Sequence, residues 1–312
     1  MTPDVGGDRR PLRTGIVAMR PLTGLDEWHA RVRAIDEQGH DVLLMADHLG
    51  MAPPLPPLVT AAEVSDRLRF GTQVLNNEFW NPVLLAREAA AVDILTSGRL
   101  ELGFGAGHAR VEFAAAGLDY ERPARRIDRL EAAVPVVRTL LAGGTVDGEA
   151  TYGLADATLG FAAAQPRVPV MIGGNGDRVL RLAAEQADIV GLTGFTAGTG
   201  QVHTDLSHFT WDGLADRVAH VRRYAGDRFD DLELSILVQA ARRTDDRRAA
   251  AAEFAAGQVE VEPLLDSPFV LLGSDDERTA QLARLRDEVG VTYVTTFEPG
   301  AEALATAAAP LR

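Results

Sequence analysis

The sequence of 312 residues contains no cysteine and no lysine, so all 31 of its basic residues are arginine. Without cysteine, the chain cannot form disulfides, use a thiol nucleophile or bind a metal through thiolates, and a cytoplasmic location is the default expectation. Without lysine, Schiff-base chemistry, pyridoxal-phosphate chemistry and the lysine-dependent P-loop are all excluded.

Long hydrophobic runs are also missing. No stretch of about 18 apolar residues occurs, so no membrane span is predicted. The first residues, MTPDVGGDRRPLR, lack the apolar core of a secretory signal, and we expect a loosely held lead-in over residues 1–13. The formal net charge of −14 opposes binding to nucleic acid or acidic lipid, so the expected partner is a small-molecule substrate.

Short apolar runs alternate with helical patterns along the rest of the chain. The predicted strands are Thr14–Met19, Asp41–Ala46, Arg69–Leu75, Arg99–Phe104, Val168–Ile172, Asp188–Leu192, Leu232–Val238 and Thr292–Phe297. Eight strands with helical crossovers predict an α/β fold, a (β/α)8 barrel with insertions formed as a single domain by residues 14–312. An open doubly wound sheet is the alternative, but the count of eight and the lack of a dinucleotide-binding fingerprint favour the barrel. Turn residues within Thr145–Phe161 predict an inserted hairpin.

Two glycine-rich turns follow the fourth and fifth predicted strands. The fourth strand runs into Gly103, Gly105 and Gly107, and the fifth ends in the run from Gly173 to Gly176. Backbone amides in such turns can approach an anion closely, and the second turn opens a helix N-terminus. Together the turns predict a site for a phosphate group, whereas either turn alone is equally well explained as a tight turn without a ligand.

Other polar residues fall at the same ends of the predicted strands, where a barrel places its active site. They are Asp47 and His48 after the second strand, Asn76 and Asn77 after the third, His108 after the fourth, and Thr193 and Gly194 after the sixth. His203, Asp205 and His208 do not have a zinc-binding spacing, so a solvated loop and no metal site are expected there.

The order of these motifs resembles the luciferase-like superfamily. The similarity runs from Thr14 to Phe297 and is carried by Asp47-His48, Gly71-Thr72-Gln73-Val74-Leu75, Asn81-Pro82, Gly98 to Gly107, Glu112 and Gly173-Gly174-Asn175-Gly176. Within that superfamily, the chain most resembles the branch that uses the deazaflavin coenzyme F420. The resemblance implies a (β/α)8 barrel that holds a flavin or deazaflavin, with hydride transfer at C5 of the ring in the F420 branch.

The resemblance also implies roles for individual residues. The predicted cofactor-binding residues are Asp47, Gln73, Val74, Gly105, Ala106, Gly107, Arg110, Gly173, Gly174, Asn175, Gly176 and Thr193. The two glycine turns would hold the phosphate and tail, and a non-proline cis peptide between Gln73 and Val74 would back the ring. Because the F420 tail is polyanionic, arginines near these turns are expected to help, namely Arg110, Arg125, Arg126 and Arg178.

Two positions depart from the family pattern. His108 stands where luciferase-like relatives often have tryptophan and the sugar-phosphate dehydrogenases have glutamate. Ala52 stands where those dehydrogenases have tryptophan. These departures weaken the case for a sugar-phosphate substrate and leave the scaffold unaffected.

Hydride transfer to or from carbon usually needs a coupled proton transfer, and histidine serves in either direction because its ordinary pKa is near 6.5. His48 is the first catalytic candidate, with Asp47 expected to orient it, and His108 is the second. Asn77 could polarise a substrate carbonyl. The structural alternatives are a pair at a strand end for Asp47 and His48, a solvated loop residue for His108, and a turn residue for Asn77.

The leading hypothesis is an F420-dependent oxidoreductase that moves a hydride between the deazaflavin C5 and an activated C=C, C=O or C=N bond of a small organic substrate. The alternatives are an FMN-dependent luciferase-like monooxygenase on the same barrel and a catalytically silent barrel that binds a cofactor. Relatives are often homodimers, so a homodimer is an expectation from the resemblance alone.

Overall fold

The computed structural model describes residues 11–195, 207–257 and 259–312. Its strands are β1 (Arg13–Ala18), β2 (Val42–Met45), β3 (Arg69–Thr72), β4 (Leu75–Asn76), β5 (Leu100–Gly105), β6 (Val170–Gly174), β7 (Ile189–Leu192), β8 (Glu233–Val238), β9 (Ala240–Arg243), β10 (Val270–Gly273) and β11 (Val291–Phe297). Its helices are α1 (Leu25–Glu37), α2 (Leu55–Ala61), α3 (Pro82–Leu95), α4 (Arg110–Ala116), α5 (Pro123–Leu141), α6 (Asp177–Gln186), α7 (Trp211–Ala225), α8 (Arg247–Ala255), α9 (Glu262–Leu265), α10 (Asp275–Arg284) and α11 (Ala301–Ala308). In the described part of the chain, no helix combines the length and apolar character that a membrane span requires.

Parallel strands close into a barrel. The sheet order is β3-β2-β1-β11-β8-β7-β6-β5-β4, and β3 also pairs with β5, which completes the ring. The predicted barrel is confirmed, and most strand ends agree with the predicted ones to within about two residues. The first strand begins at Arg13, one residue before the expected start of the domain, and Leu12 in front of it is already buried.

The third predicted strand, Arg69–Leu75, is divided by a cis peptide bond between Gln73 and Val74, as the resemblance implied. The backbone N–H of Gln73 donates to the carbonyl of Met45 in β2, at 2.9 Å, so β3 stays attached on that side. Beyond the cis bond, Leu75 in β4 pairs with Phe104 in β5. The side chain of Val74 packs with the cluster inside the barrel.

The bottom of the barrel, at the N-terminal strand ends, is closed by charged side chains. Arg13 donates to Glu101 at 2.6 Å and to Glu233 at 2.6 Å, and its guanidinium lies 4.5 Å from the ring centroid of Tyr293. Burial and the neighbouring Glu101 raise the pKa of the Tyr293 hydroxyl well above its ordinary value, so this tyrosine stays neutral. Because charged and bulky groups fill the bottom, a ligand has to enter from the opposite, C-terminal end.

Two features lie outside the eight-strand pattern. Antiparallel bridges join Val146 to Ala157 and Glu149 to Leu154, which confirms the inserted hairpin. The parallel pair of β9 and β10 was not predicted, because its strands are short and separated by helical segments. This small sheet follows β8 directly and extends the wall of the barrel at its C-terminal end.

Buried His40 is expected to make the stability of the protein depend on pH. Its ring is fully buried, with Nδ1 at 2.9 Å from the Thr14 hydroxyl and Nε2 at 3.1 Å from the Ala301 carbonyl oxygen. Burial lowers the pKa of His40 to about 4. The unfolded chain therefore takes up a proton as pH falls below about 6.5 while the folded chain does not, so stability is lost in this range. Between about pH 7 and about pH 5 we expect this group to lower the free energy of unfolding by about 2 kcal/mol.

Urea unfolding of the wild type and of His40→Gln at both pH values checks this expectation. The variant should be less stable at neutral pH but should lose most of the dependence on pH. An equal pH dependence in both proteins would show that other groups are responsible.

Candidate active site

A histidine and a carboxylate meet at the C-terminal end of the barrel. His48 follows β2, and Glu112 lies on α4, which follows β5. His48 Nδ1 is 2.8 Å from Glu112 Oε1, and their side chains are 32% and 15% exposed. Because a carboxylate only accepts hydrogen bonds, Nδ1 carries the proton and Nε2 is the ring atom that can exchange protons with a substrate.

His108 lies beside this pair. Its ring is nearly perpendicular to that of His48, with centroids 5.6 Å apart. Desolvation lowers the pKa of His108, and the neighbouring His48 lowers it further. The lowered pKa favours the neutral form of His108, and the structure brings together the two histidines that the sequence analysis placed at this end of the barrel.

The expected role of Asp47 in orienting His48 is wrong. Asp47 Oδ2 accepts hydrogen bonds from Trp80 Nε1 at 2.8 Å and from the backbone N–H of Asn76 at 3.0 Å. Burial raises the pKa of Asp47, although these two donors oppose the rise. Asp47 thus ties the loop after β2 to the segment after β4, and Glu112 is the carboxylate that holds His48.

Asn77 is also engaged away from the histidines. Its side chain is buried, and Nδ2 donates to the Tyr152 hydroxyl at 3.3 Å. That hydroxyl in turn donates to the carbonyl of Arg129, at 3.1 Å. Asn77 therefore attaches the inserted hairpin and α5 to the barrel rim, and the structure gives no support to the carbonyl-polarising role.

The glycine turns are adjacent, as expected from the order of β5 and β6 in the sheet. Much of their glycine content is explained by packing inside the protein. A Cβ atom on Gly105 would lie 2.7 Å from Val74 Cγ2, and one on Gly173 would lie 3.0 Å from Val74 Cγ1. Gly107 has φ +71° and would place a Cβ atom 2.3 Å from Asn76 Oδ1. These glycines make room for the side chains of the divided third strand.

Gly176 is different. Its φ is −73°, and a Cβ atom there would meet nothing within 4 Å, so neither backbone conformation nor packing requires glycine. It is the N-cap of α6, which has no side-chain cap, and the helix dipole favours an anion at this end. The preceding Asn175 is buried, and its Oδ1 has no hydrogen-bond partner in the structure. This turn has the open backbone and the spare polar atom that a phosphate-bearing tail requires.

The remaining predicted contacts lie around the same end of the barrel. Thr193 follows β7, and its hydroxyl donates to the carbonyl of Phe195 at 3.0 Å. Arg110 is exposed at the start of α4, with its guanidinium 5.9 Å from the Tyr120 ring centroid. Ala106 lies in the turn itself, and its carbonyl accepts from Arg126 Nε at 3.1 Å.

Three of the four arginines expected near the turns are already occupied. Arg126 is buried, donates to the carbonyls of Ala106 and Glu121, and therefore holds the turn after β5 in place. Arg125 pairs with Glu121 just before α5 and with Asp128 on α5, and Arg178 pairs with Asp128 and Glu131. Arg110 is the one that remains available to an anionic tail.

Only part of the histidine-containing segment that the sequence analysis considered as a metal site lies within the described residues. His203 and Asp205 lie outside the described residues, and His208 Nδ1 is 3.1 Å from Asn175 Nδ2. Among residues 11–195, 207–257 and 259–312, no group of three or more potential ligands could hold a metal ion.

A closed parallel barrel with a hydrogen-bonded histidine–glutamate pair at its C-terminal end and an open helix N-terminus defines a class, the cofactor-dependent (β/α)8 barrel enzymes. Comparison with known proteins gives the family. Residues 11–308 match the family model described as luciferase-like monooxygenase, so the chain belongs to the luciferase-like family.

Individual proteins are similar to this chain in sequence and in fold. The chain is 32% identical over 188 residues to an F420-dependent glucose-6-phosphate dehydrogenase of Microbacterium testaceum, a match that covers 57% of this chain and 55% of the relative. It is 30% identical over 249 residues to the enzyme of that name from Nakamurella multipartita, covering 77% and 70%. The chain thus spans only about half to two thirds of the length of these relatives. In fold, it is similar to an F420-dependent secondary alcohol dehydrogenase solved with an F420-acetone adduct, with a TM-score of 0.77, 17% identity and coverage of 97% and 100%.

Proposed function

We propose that this protein is an F420-dependent oxidoreductase that reduces or oxidises an activated C=C, C=O or C=N bond of a small organic molecule. The observation that carries the proposal is the His48–Glu112 pair at the mouth of a barrel whose neighbouring turn is open to an anion. Membership in the luciferase-like family and similarity to F420-dependent relatives support the same cofactor. The expected homodimer and the cytoplasmic location stay predictions.

The cofactor fits the residues present. The backbone at Gly176 and the unpartnered Oδ1 of buried Asn175 suit the phosphate and hydroxyl groups of its tail. Arg110 adds an available cation, and Val74 presents an apolar surface inside the barrel for the ring. When bound, F420 supplies a hydride or accepts one at C5.

The residues of this chain supply the proton. Glu112 accepts the hydrogen bond from His48 Nδ1–H, which fixes the orientation of the ring and directs Nε2 away from the carboxylate. In the reducing direction, protonated His48 gives a proton to the heteroatom or carbon that becomes electron-rich. In the oxidising direction, neutral His48 takes the proton from the substrate. His108 lies close enough to change the charge around His48.

The titration of His108 should be seen as a limb of its own in the pH profile of the reaction. Because desolvation and His48 lower its pKa, the neutral form dominates above about pH 6.5 and the protonated form appears only at lower pH. We expect kcat/KM to change along a limb below about pH 6.5, and this limb should be lost in His108→Asn. Steady-state rates across pH for both proteins make the measurement, and retention of the limb in the variant would assign it to another group.

The proposed function is tested with the full chain by titration of F420, FMN and NADPH, each followed by fluorescence quenching. Tight binding of F420, together with oxygen-independent oxidation of reduced F420 by a carbonyl or alkene substrate, is expected. Preferential binding of FMN and turnover that requires oxygen would instead identify the monooxygenase alternative. Binding of F420 without turnover of any substrate, and with no change in His48→Ala, would identify a silent cofactor-binding barrel.

A further inference from the structure

We propose that the substrate taken above His48 is uncharged, carries no phosphate group and presents an apolar surface to the barrel mouth. The proposal rests on the proposed function, because it concerns the molecule that meets the cofactor at His48. It separates this chain from the relatives whose names specify glucose 6-phosphate.

The first argument is the supply of positive charge. A phosphate monoester is bound in proteins by arginine, lysine or a helix N-terminus. The chain has no lysine, and the segments that follow β2 (46–54) and β4 (77–81) contain no arginine. After β1, Arg20 is already paired with Glu27 at 3.2 Å and with Glu298 at 3.5 Å. The segments directly after β1, β2 and β4 therefore offer a phosphate no unpaired cation among the described residues, and Arg110 after β5 is the exposed arginine nearest in the chain to His108.

The second argument concerns the one exposed arginine that precedes Glu112 on the same helix. Arg110 and Glu112 are two positions apart on α4, so their side chains do not share a face. The charges that act on His108 come from His48, Glu112 and the buried Arg126, which is bound to backbone carbonyls. Arg110 is therefore placed to serve the glycine turn rather than a substrate held between the two histidines.

The third argument is the apolar lining. Met51, Leu237 and Phe297 are partly exposed and pack on the apolar cluster inside the barrel. Beside His48, Leu49 is 46% exposed, and Met19 after β1 is also exposed. Apolar side chains gathered around a pocket mark a surface that takes an apolar group out of water.

Histidine-selective NMR tests the proposal on the full chain. The Hε1 signals of His48 and His108 are assigned from His48→Gln and His108→Asn, and are followed with two probes, glucose 6-phosphate and 2-cyclohexen-1-one, with and without F420. We expect the enone to shift both signals and glucose 6-phosphate to leave them unchanged. A saturable shift with glucose 6-phosphate, or reduction of F420 by it, would overturn the proposal. Failure of the enone to shift either signal would overturn its apolar part.

A variant with an added positive charge tests whether the lack of a cation is what excludes a phosphate group. Leu49→Arg adds a guanidinium at the exposed position that follows His48 in the chain, and Leu84→Arg adds the same charge at an exposed position of α3. We expect Leu49→Arg to bind glucose 6-phosphate about tenfold more tightly than the wild type, because one charge-assisted hydrogen bond contributes that much, and Leu84→Arg to remain unchanged. Equal affinity in all three proteins would show that the lack of a cation is not what excludes the phosphate.

The test of the substrate class and the test of the proposed function can fail independently of each other. If F420 fails to quench in the binding titration, the proposed function fails. Even then, the changes that the two probes cause in the His48 and His108 signals of the cofactor-free protein show whether this site prefers the uncharged molecule.

Discussion

Replacement of His48 by glutamine will lower kcat about 100- to 10,000-fold, the range expected when a positioned acid or base is removed. Glutamine keeps a polar side chain of similar length but cannot exchange a proton. The affinity for F420 should change little, because Glu112 and not the cofactor turn is the partner that His48 loses. Stopped-flow hydride transfer and fluorescence titration of F420 measure the two quantities separately.

Two variants serve as comparisons. His29→Gln removes a histidine on α1 whose nearest charged partner is Glu63, at 3.9 Å, and it should leave kcat unchanged. Glu112→Gln should lower kcat less than His48→Gln does, because the amide oxygen can still accept the hydrogen bond from His48 Nδ1 but no longer carries a charge. If His48→Gln kept wild-type kcat, the assignment of proton transfer to this residue would fail.

Replacement of Gly103 by alanine is expected to have the largest effect on folding. Gly103 lies in β5 at the seam where β5 meets β3, and a Cβ atom there would be 2.0 Å from the carbonyl oxygen of Thr72. The Thr72 hydroxyl also donates to the Gly103 carbonyl at 3.0 Å and accepts from its N–H at 2.9 Å. Backbone atoms cannot move aside as a flexible side chain can, so the strands would have to separate. We expect a loss of about 3 kcal/mol or more in the free energy of unfolding.

Gly24→Ala is the matched control. Gly24 precedes α1 in an extended conformation, and a Cβ atom there meets nothing within 4 Å. Urea unfolding followed by circular dichroism should place Gly24→Ala at the wild-type midpoint and Gly103→Ala far below it. Equal midpoints for the two variants would mean that the seam tolerates a methyl group and that β3 and β5 are not in close contact.

The site shows where reasoning from sequence succeeds and where it stops. His48, His108 and the two glycine turns were predicted because parallel strands end at one edge of a barrel, which brings distant strand ends together. Glu112 was recognised only as a position that matches the family, and its contact with His48 was missed. Asp47 was the expected partner because it is adjacent in the chain, but consecutive side chains in extended backbone point in opposite directions. A contact across 64 positions leaves no periodic signal in the sequence.

The sequence by itself determined the eight strands and the helices between them, which favour a barrel, because this alternation follows from local periodicities that each segment carries independently. It also determined the chemistry that is absent, since no fold can supply a lysine or a thiol that the chain does not contain. Only the tertiary structure decided that Glu112 holds His48, that Asp47 and Asn77 support the rim, and that Val74 requires the glycines around it. These contacts join segments far apart in the chain, and their geometry exists only once the barrel has closed.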